Sequence, residues 1–594
     1  MAACRPFRPA PLAAALMFAA ALTTTLWAQT SSTPPALDPA FAGDTRAYLR
    51  SIEKVGFSGV VVVATPQGPI VSEGLGLADR EKGLRWAAST LSDIGSITKQ
   101  FTAALILKLE EQGKLAVTDP IGRYFEGVPA DKQGITLHHL LTHTSGIEDL
   151  EGAGDWDPIG RDDFVRRAFA APLSAPPGER YSYSNAGYSL LGAIAEKLTG
   201  KSYEQALREL VLIPAGLVET GYLVPKWDPA RLAQGYRTGE RWGTTLERPM
   251  DTDGPFWVLR ANGGLRSTAE EMLRWARALL EGKVLSEASR NKLWTPHVDE
   301  SNGDGESFYG YGWSVVNQGG LRILTHNGGN GIHFADFAIV PERGVVVFLQ
   351  TNAITDYPGA NDLLAQIGRR FLGAVPYPKV PAVIEVPAAT LASLAGTYSG
   401  EGEARFEVSS DGKTLQVLPL GRPAFDRLHS PAGNPALLAK RAADTEKMIA
   451  ACLAGDFQPL HAAYGGAVPV ERLRDSFAGR MKEQTERFGP FVRIEVLGTA
   501  AAEEGRDRVP VRFVHEKGEA LLSYVWAGGE AGKLLGVGFR RFQPALRLYP
   551  LGEGRFASWD SVTSSSLSAR FVPAAEGGVA LELGGEGKVV GVRR

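Results

Sequence analysis

Apolar and polar residues alternate along this chain with two different periods, and the period that holds in each segment says what the segment becomes. From Asp38 to Lys54 the apolar positions recur at helical spacing, which predicts an amphipathic helix. Gly59–Ala64 (GVVVVA) and Ile70–Gly76 are apolar runs of strand length joined by the turn-forming TPQGP, so the pair predicts a hairpin. Asp93 to Leu115 (DIGSITKQFTAALILKLEEQGKL) differs in kind. Phe101 and Ala103–Leu107 are apolar on every face, which predicts a helix sunk in the core. Gly95 allows a tight turn before it, Ser96 can serve as its N-cap, and Gly113 ends it. Helical patterns follow at Leu137–Ile147, Gly187–Gly200, Ser202–Pro214 and Thr268–Gly282, the last capped by Thr268. Strand patterns return at Tyr311–Val316, Arg322–His326, Phe334–Pro341 and Gly344–Gln350, and a helix near Asn361–Phe371 closes the series. Strands at both ends thus flank a helical middle. The economical fold is α+β: one antiparallel sheet flanked by helices, with an all-helical lobe inserted, over residues 29–376.

PYPKVPAVIEVP (Pro376–Pro387) is Pro-rich, and residues 377–387 are expected to be a linker. Beyond it the texture changes. Leu394–Leu428 reads as short strands, Ala442–Leu453 and Val470–Phe488 as helices. Strand-like runs follow at Val492–Leu497, Arg508–Val514, Glu519–Trp526 and Leu534–Phe539, and short strands again from Phe556 to Arg594. No fixed-period repeat is present.

Composition sharpens this picture in three places. The 594 residues suffice for roughly three to four domains. Lys+Arg is 63 against Asp+Glu 66, which argues against a nucleic-acid binder carried by bulk charge. The start of the chain has the form of a secretory signal: Arg5 and Arg8, then the apolar or small stretch Leu12–Ala28, then the linker-like SSTPP. Residues 1–28 are expected to be removed and the protein exported to the periplasm or the medium, with an uncleaved anchor as the alternative. Cys4 lies ahead of the apolar run, misplaced for lipid attachment, and no later stretch is long and apolar enough to span a bilayer. Export leaves Cys452 alone, so no internal disulfide can form, and its Ala/Leu-rich surroundings suit a small core residue.

The chemistry is carried by spacing. Ser96 and Lys99 are three apart and share a helix face, so a hydroxyl and an amine stand side by side as nucleophile and proton acceptor. The helix N-terminus favours the negative charge that an attacked carbonyl develops there. Ser-x-x-Lys alone is a weak signal, and by itself it reads more readily as a capping serine and a surface lysine. Two further stretches strengthen it. In ERYSYSNAGYSLLG, Tyr183 can relay a proton if positive charge from Lys99 lowers its pKa, and Asn185 offers an amide to a substrate carbonyl. In HNGG, at a strand end, Gly328 and Gly329 let a substrate lie against backbone, and His326 can bind or polarise it. LLTHTSG, with His143, and ANGGLRSTAEEM read as scaffold. There is no G-x-S-x-G elbow and no H-E-x-x-H, and LTGKS (Leu198–Ser202) reads as a helix end rather than a phosphate loop.

Taken in order, GSITKQFTAALILKLEEQGKL, LLTHTSG, YSN, GGLRSTAEEM, YGYGW and HNGG resemble the serine β-lactamase and penicillin-binding-protein superfamily over roughly residues 57–371. The side resembled is that of class C β-lactamases, D-aminopeptidases and family VIII esterases. The resemblance implies Ser96 as the acylated nucleophile, with Lys99 and Tyr183 sharing the proton traffic. Asn185, His326, Gly328 and Gly329 would bind substrate, the N–H groups of Ser96 and Gly329 forming the oxyanion hole. It implies no cofactor and no metal. One departure matters: many members carry Lys-Thr-Gly where this chain has His-Asn-Gly, which replaces a permanent charge by a weak base. That favours an ester or a D-amino-acid type peptide or amide over a carboxylate-bearing β-lactam or D-Ala-D-Ala peptide. The rival reading is a cell-envelope binding or sensor protein that kept the fold. The partners implied are a small-molecule or peptide substrate, cell-wall fragments among them, and no nucleic acid; the oligomeric state is left open. The tail resembles a lipocalin-like β-barrel in two parts, 388–440 and 543–594, around an inserted cone-shaped α+β domain of the nuclear-transport-factor type, 441–542.

Overall fold

The computed structural model describes residues 38–593 except 238, 302–304, 374, 430–433, 503–505, 530–531, 539–544, 562–565, 576 and 585–587. The expected signal segment lies outside the described residues. The chain forms two compact units that divide between Pro378 and Lys379.

In the first unit, helix α1 (Phe41–Glu53) precedes the hairpin β1 (Gly59–Thr65) and β2 (Gly68–Leu75). The middle is helical: α2 (Thr98–Glu111), α3 (Leu137–Leu141), α4 (Arg161–Ala170), α5 (Asn185–Thr199), α6 (Tyr203–Leu207), α7 (Ala269–Leu280) and α8 (Glu287–Trp294). The chain then returns to the sheet with β3 (Val298–Asp299), β4 (Ser307–Tyr309), β5 (Ser314–Gln318), β6 (Leu321–Gly329), β7 (Phe334–Val340) and β8 (Val345–Thr351), and ends on α9 (Ala360–Phe371). The sheet order is β2-β1-β8-β7-β6-β5-β4-β3, and its neighbouring strands run antiparallel. The N-terminal hairpin therefore joins the C-terminal strands through β1 against β8, with Gly59 opposite Thr351 and Val62 opposite Phe348. Strands β7 and β8 are buried along their whole length, as expected of strands covered on both faces.

Helix α2 is the centre of the core. Residues Thr98 to Leu107 and Leu109 are all buried. Phe101 stacks on Trp275 of α7 at 4.4 Å between centroids, and the Trp275 indole N–H donates to Gln100 at 3.1 Å. Tyr203 O–H and Thr102 O–H lie 2.6 Å apart in the same interior, while the Gln100 Nε2 is buried without a hydrogen-bond partner.

Several elements differ from the reading of the sequence. Ser96 is not an N-cap: it sits inside a 3₁₀ turn (Gly95–Ile97) that runs into α2, and Ile97 precedes the helix with no side-chain cap. Helix α5 starts two residues earlier than its apolar run, so Asn185 is its first residue, capped by Ser184. The Ser202–Pro214 helix changes to π geometry at Arg208–Leu212. The strand expected at Tyr311 starts at Ser314, because Gly310–Gly312 form a turn packed against the Lys99 carbonyl. Helices α4 and α8 are absent from the sequence reading, although α4 buries Phe164, Ala168 and Phe169 at helical spacing.

The second unit holds a closed barrel of eight antiparallel strands, Gly396–Ser399, Arg405–Ser410, Leu415–Leu420, Leu546–Gly552, Arg555–Ser558, Ser568–Pro573, Val579–Leu583 and Lys588–Arg593. Between the third and fourth strands the chain forms helices Pro435–Leu453 and Val470–Phe488 and a separate five-stranded sheet. Arg422–His429, read from sequence as strand, is a helix that buries Ala424, Phe425 and Leu428. Cys452 is buried in the first long helix, and burial pushes its thiol up to about 11.

Because Phe101 is wholly buried in a stack, Phe101→Ala is expected to destabilise the first unit by about 3–5 kcal/mol in urea unfolding. An unchanged midpoint would show that the stack is not central to the core.

Candidate active site

Four segments far apart in sequence converge on the start of α2. The turn Gly95–Ile97 presents Ser96, and Lys99 follows one turn later on the same face. Lys99 is fully buried, and its Nζ donates to three oxygens: Ser96 Oγ at 3.1 Å, Asn185 Oδ1 at 2.8 Å and the Asn262 carbonyl at 2.8 Å. Three acceptors match the three hydrogens of an ammonium. Burial pulls the Lys99 pKa down to about 7, while the carboxylates of Asp149 and Asp155 act in the other direction.

Tyr183 lies over the lysine, with Lys99 Nζ 4.8 Å from its ring centroid. Its phenol oxygen is buried and completes no hydrogen bond, and the Ser96 hydroxyl is the group that favours its ionised form. Burial outweighs that help and raises the Tyr183 pKa. The expectation that Lys99 lowers the tyrosine pKa is therefore reversed: desolvation pushes phenol and amine in opposite directions, and both towards neutrality.

His326, in β6, is almost fully buried. Its Nε2 lies 3.0 Å from the Tyr309 hydroxyl and its Nδ1 2.5 Å from the Asn327 carbonyl. Burial, then the charge of Lys99, lowers its pKa to about 3, so it is neutral at pH 7. Gly328 and Gly329 pair with Ala335 and Phe334 of β7 and run directly against the Ser96 turn. A Cβ on Gly328 would sit 2.4 Å from Ser96 N and 2.1 Å from the Ile94 carbonyl oxygen; one on Gly95, whose φ is +50°, would sit 2.2 Å from Gly329 N. Glycine is required on both sides of this contact. His143 has φ +59° and takes the Ser184 N–H on Nδ1 at 3.0 Å, while its ring lies 4.3 Å from that of Tyr183. That is a supporting position beneath the phenol.

Three groups were missed in the sequence. Asn262 lies in a stretch read as scaffold, yet its carbonyl binds Lys99 directly. Asp149 and Asp155 belong to a loop with no motif spacing. Asp149 accepts from Asn185 N (2.7 Å), Ala186 N (3.0 Å) and Asn185 Nδ2 (3.0 Å). Asp155 is pushed up to about 7, first by burial and then by the charges of Asp93 and Asp149. Among the described residues no group of three or more His, Cys, Asp or Glu is placed to hold a metal ion.

A family model described as Beta-lactamase matches residues 45–368. The chain belongs to the beta-lactamase family. It is 31% identical over 293 residues to Penicillin-binding protein 4* of Bacillus subtilis (strain 168), a match covering 47% of this chain and 64% of that one. It is 36% identical over 202 residues to Esterase EstB of Burkholderia gladioli, covering 31% of this chain and 51% of the esterase. The chain thus spans between about half and two thirds of these relatives. The octameric penicillin-binding protein homologue from Pyrococcus abyssi shares the fold, with a TM-score of 0.51 at 21% identity, covering 84% of this chain and 99% of that one. In this beta-lactamase-family chain, the antiparallel sheet with its helices carries the Ser96 turn against the edge of a glycine strand end.

Gly328→Ala is expected to displace β6 from the Ser96 turn. The acylation rate should fall about 10²-fold or more, the scale of losing one oxyanion donor, while far-UV circular dichroism stays unchanged. A rate within a few-fold of wild type would show that this backbone contact is not part of the site.

Proposed function

We propose that this chain is an exported serine acylhydrolase that works through an acyl-enzyme on Ser96, on an ester or a D-amino-acid type amide. The observation that carries the reading is the hydrogen bonding of Lys99. When the ammonium loses its proton, two N–H bonds remain for Asn185 Oδ1 and the Asn262 carbonyl, and the nitrogen lone pair is left facing Ser96 Oγ. With its pKa at about 7, a large share of the amine is neutral at that pH. A general base poised near the working pH is the most effective kind.

Ser96 Oγ bonds to the substrate carbonyl carbon as its proton passes to Lys99 Nζ. The carbonyl oxygen becomes an oxyanion held by the N–H groups of Ser96 and Gly329, at the positive end of α2. The intermediate collapses with loss of an alkoxide or amine, which takes up a proton. Tyr183, protonated at rest, gives its proton to the leaving group and is refilled by the proton that Lys99 took from Ser96, so both groups are neutral again before water enters. Water then adds to the acyl-enzyme, the acid leaves, and the serine recovers its hydrogen.

Substrate preference follows from charge. His326 is neutral, so a substrate carboxylate meets no permanent cation at the third motif. This supports a neutral ester or an amine-bearing amide over a penicillin-like acid. Export rests on the form of residues 1–28; among the described residues no helix is long and apolar enough to cross a membrane.

A fluorophosphonate probe is expected to label wild type at Ser96 and to leave Ser96→Ala unlabelled but folded. Lys99→Ala and Tyr183→Phe should each slow labelling about 10²-fold or more. The wild-type rate should rise with pH through about 7, as Lys99 loses its proton. Turnover should be greatest on a p-nitrophenyl ester or a D-amino-acid anilide and least on a cephalosporin or a D-Ala-D-Ala peptide. No adduct on wild type would leave the binding-protein reading standing.

A further inference from the structure

The loop between Ile147 and Gly160 carries a carboxylate that reaches the reaction centre through one intermediary. Asp149 takes three N–H donors, all from the first two residues of α5. Two are backbone groups left over at a helix start, and binding them is capping. The third, the side-chain Nδ2 of Asn185, is not needed for capping, and Ser184 already receives the Gly187 N–H at 3.1 Å. A carboxylate has no hydrogen to give, so it can receive only the NH₂ end of that amide. The amide oxygen is turned the opposite way, where it takes the Lys99 hydrogen at 2.8 Å.

We propose that Asp149 is a positioning residue for acyl transfer: it fixes the Asn185 amide so that its oxygen holds Lys99, and its negative charge retains the lysine proton until the pH is high enough to release it. The proposal rests on the reading of Ser96 and Lys99 as nucleophile and base. Burial disfavours the ammonium, and among the charges that favour it Asp149 comes ahead of Asp155. The other groups facing Lys99 are the imidazoles of His143 and His326 and the phenol rings of Tyr183 and Tyr188, at 4.8 and 5.6 Å from Nζ. None of these touches Asp149 through the hydrogen bonds described, so a change at 149 acts through Asn185 and through charge.

The test is the pH dependence of fluorophosphonate labelling at Ser96 in the full chain. Asp149→Asn removes the charge and sets an NH₂ group against the NH₂ of Asn185. The Asn185 amide relieves this by turning over, which points its hydrogens at Lys99. Both effects disfavour the ammonium, so the midpoint of the pH–rate curve should fall by about one unit or more. The plateau rate should fall about 10-fold or more, because the amine is no longer held towards Ser96. The swap Asp149→Asn with Asn185→Asp restores the pattern in mirror form. The new amide at 149 still receives the helix N–H groups and donates to the new carboxylate at 185, which faces Lys99. Its midpoint should return to the wild-type value or rise above it.

A capping role alone would lower the thermal midpoint and the labelled fraction of Asp149→Asn but leave the pH midpoint where it was, and that result overturns the proposal. If Asp149→Asn does not fold, the swap decides: a midpoint below wild type overturns the proposal, one at or above it supports it. Absence of wild-type labelling would instead overturn the acyl-transfer reading itself. Labelling with an unmoved midpoint removes only Asp149.

Discussion

The structure of the first unit turns on a cation taken out of water. Lys99 has no exposed surface, and its ordinary pKa of 10.5 falls to about 7, a change worth roughly 5 kcal/mol in favour of the neutral amine. In the proposed reaction that preference is what suits the residue to act as a base, and it exists only while the surroundings stay dry. The helix that carries Lys99 is apolar on all sides, and its stacked Phe101 and Trp275 belong to the core that keeps water away. Core packing and chemical poise are here the same property viewed at two scales. The three acceptors around Nζ keep the cost of burial from becoming prohibitive, since a buried charge without partners would not be tolerated.

Much of this was legible beforehand because the informative residues obey short-range rules. Ser96 and Lys99 are related by one helical turn, the β6 glycines by strand spacing, and the all-apolar run from Phe101 to Leu107 announces burial without any neighbour being known. Strand β8 is legible as an apolar run for the same reason, and β7 in spite of the buried Asp336 near its centre. What the sequence does not hold is distance between segments. Asn262 acts through its backbone carbonyl, which every residue possesses, so no side-chain pattern marks it. Asp149 and Asp155 lie in a loop without motif spacing, and only folding brings their charges to bear on Lys99.

The tyrosine pKa moves against the direction the sequence predicts. A nearby ammonium does favour a phenolate. Dehydration, however, acts on every group in the pocket, and it raises phenols as it lowers amines. At this site the burial that the two groups share decides the direction of both shifts. In the proposed reaction this separates their tasks: one group accepts a proton, the other keeps one to donate.

The C-terminal barrel has a topological property with a bearing on how the unit tolerates change. Its third and fourth strands are direct neighbours, with Leu415 opposite Leu548, although a helical and sheet segment of considerable length separates them in the chain. The first and last strands also meet, through Ser399 and Val592. The ring is thus sealed by its own rungs, and the intervening segment leaves and re-enters at adjacent points. Its first helix, Arg422–His429, sinks Ala424 and Leu428 into the barrel core, and beyond that anchor the segment can change length without opening a raw strand edge to solvent.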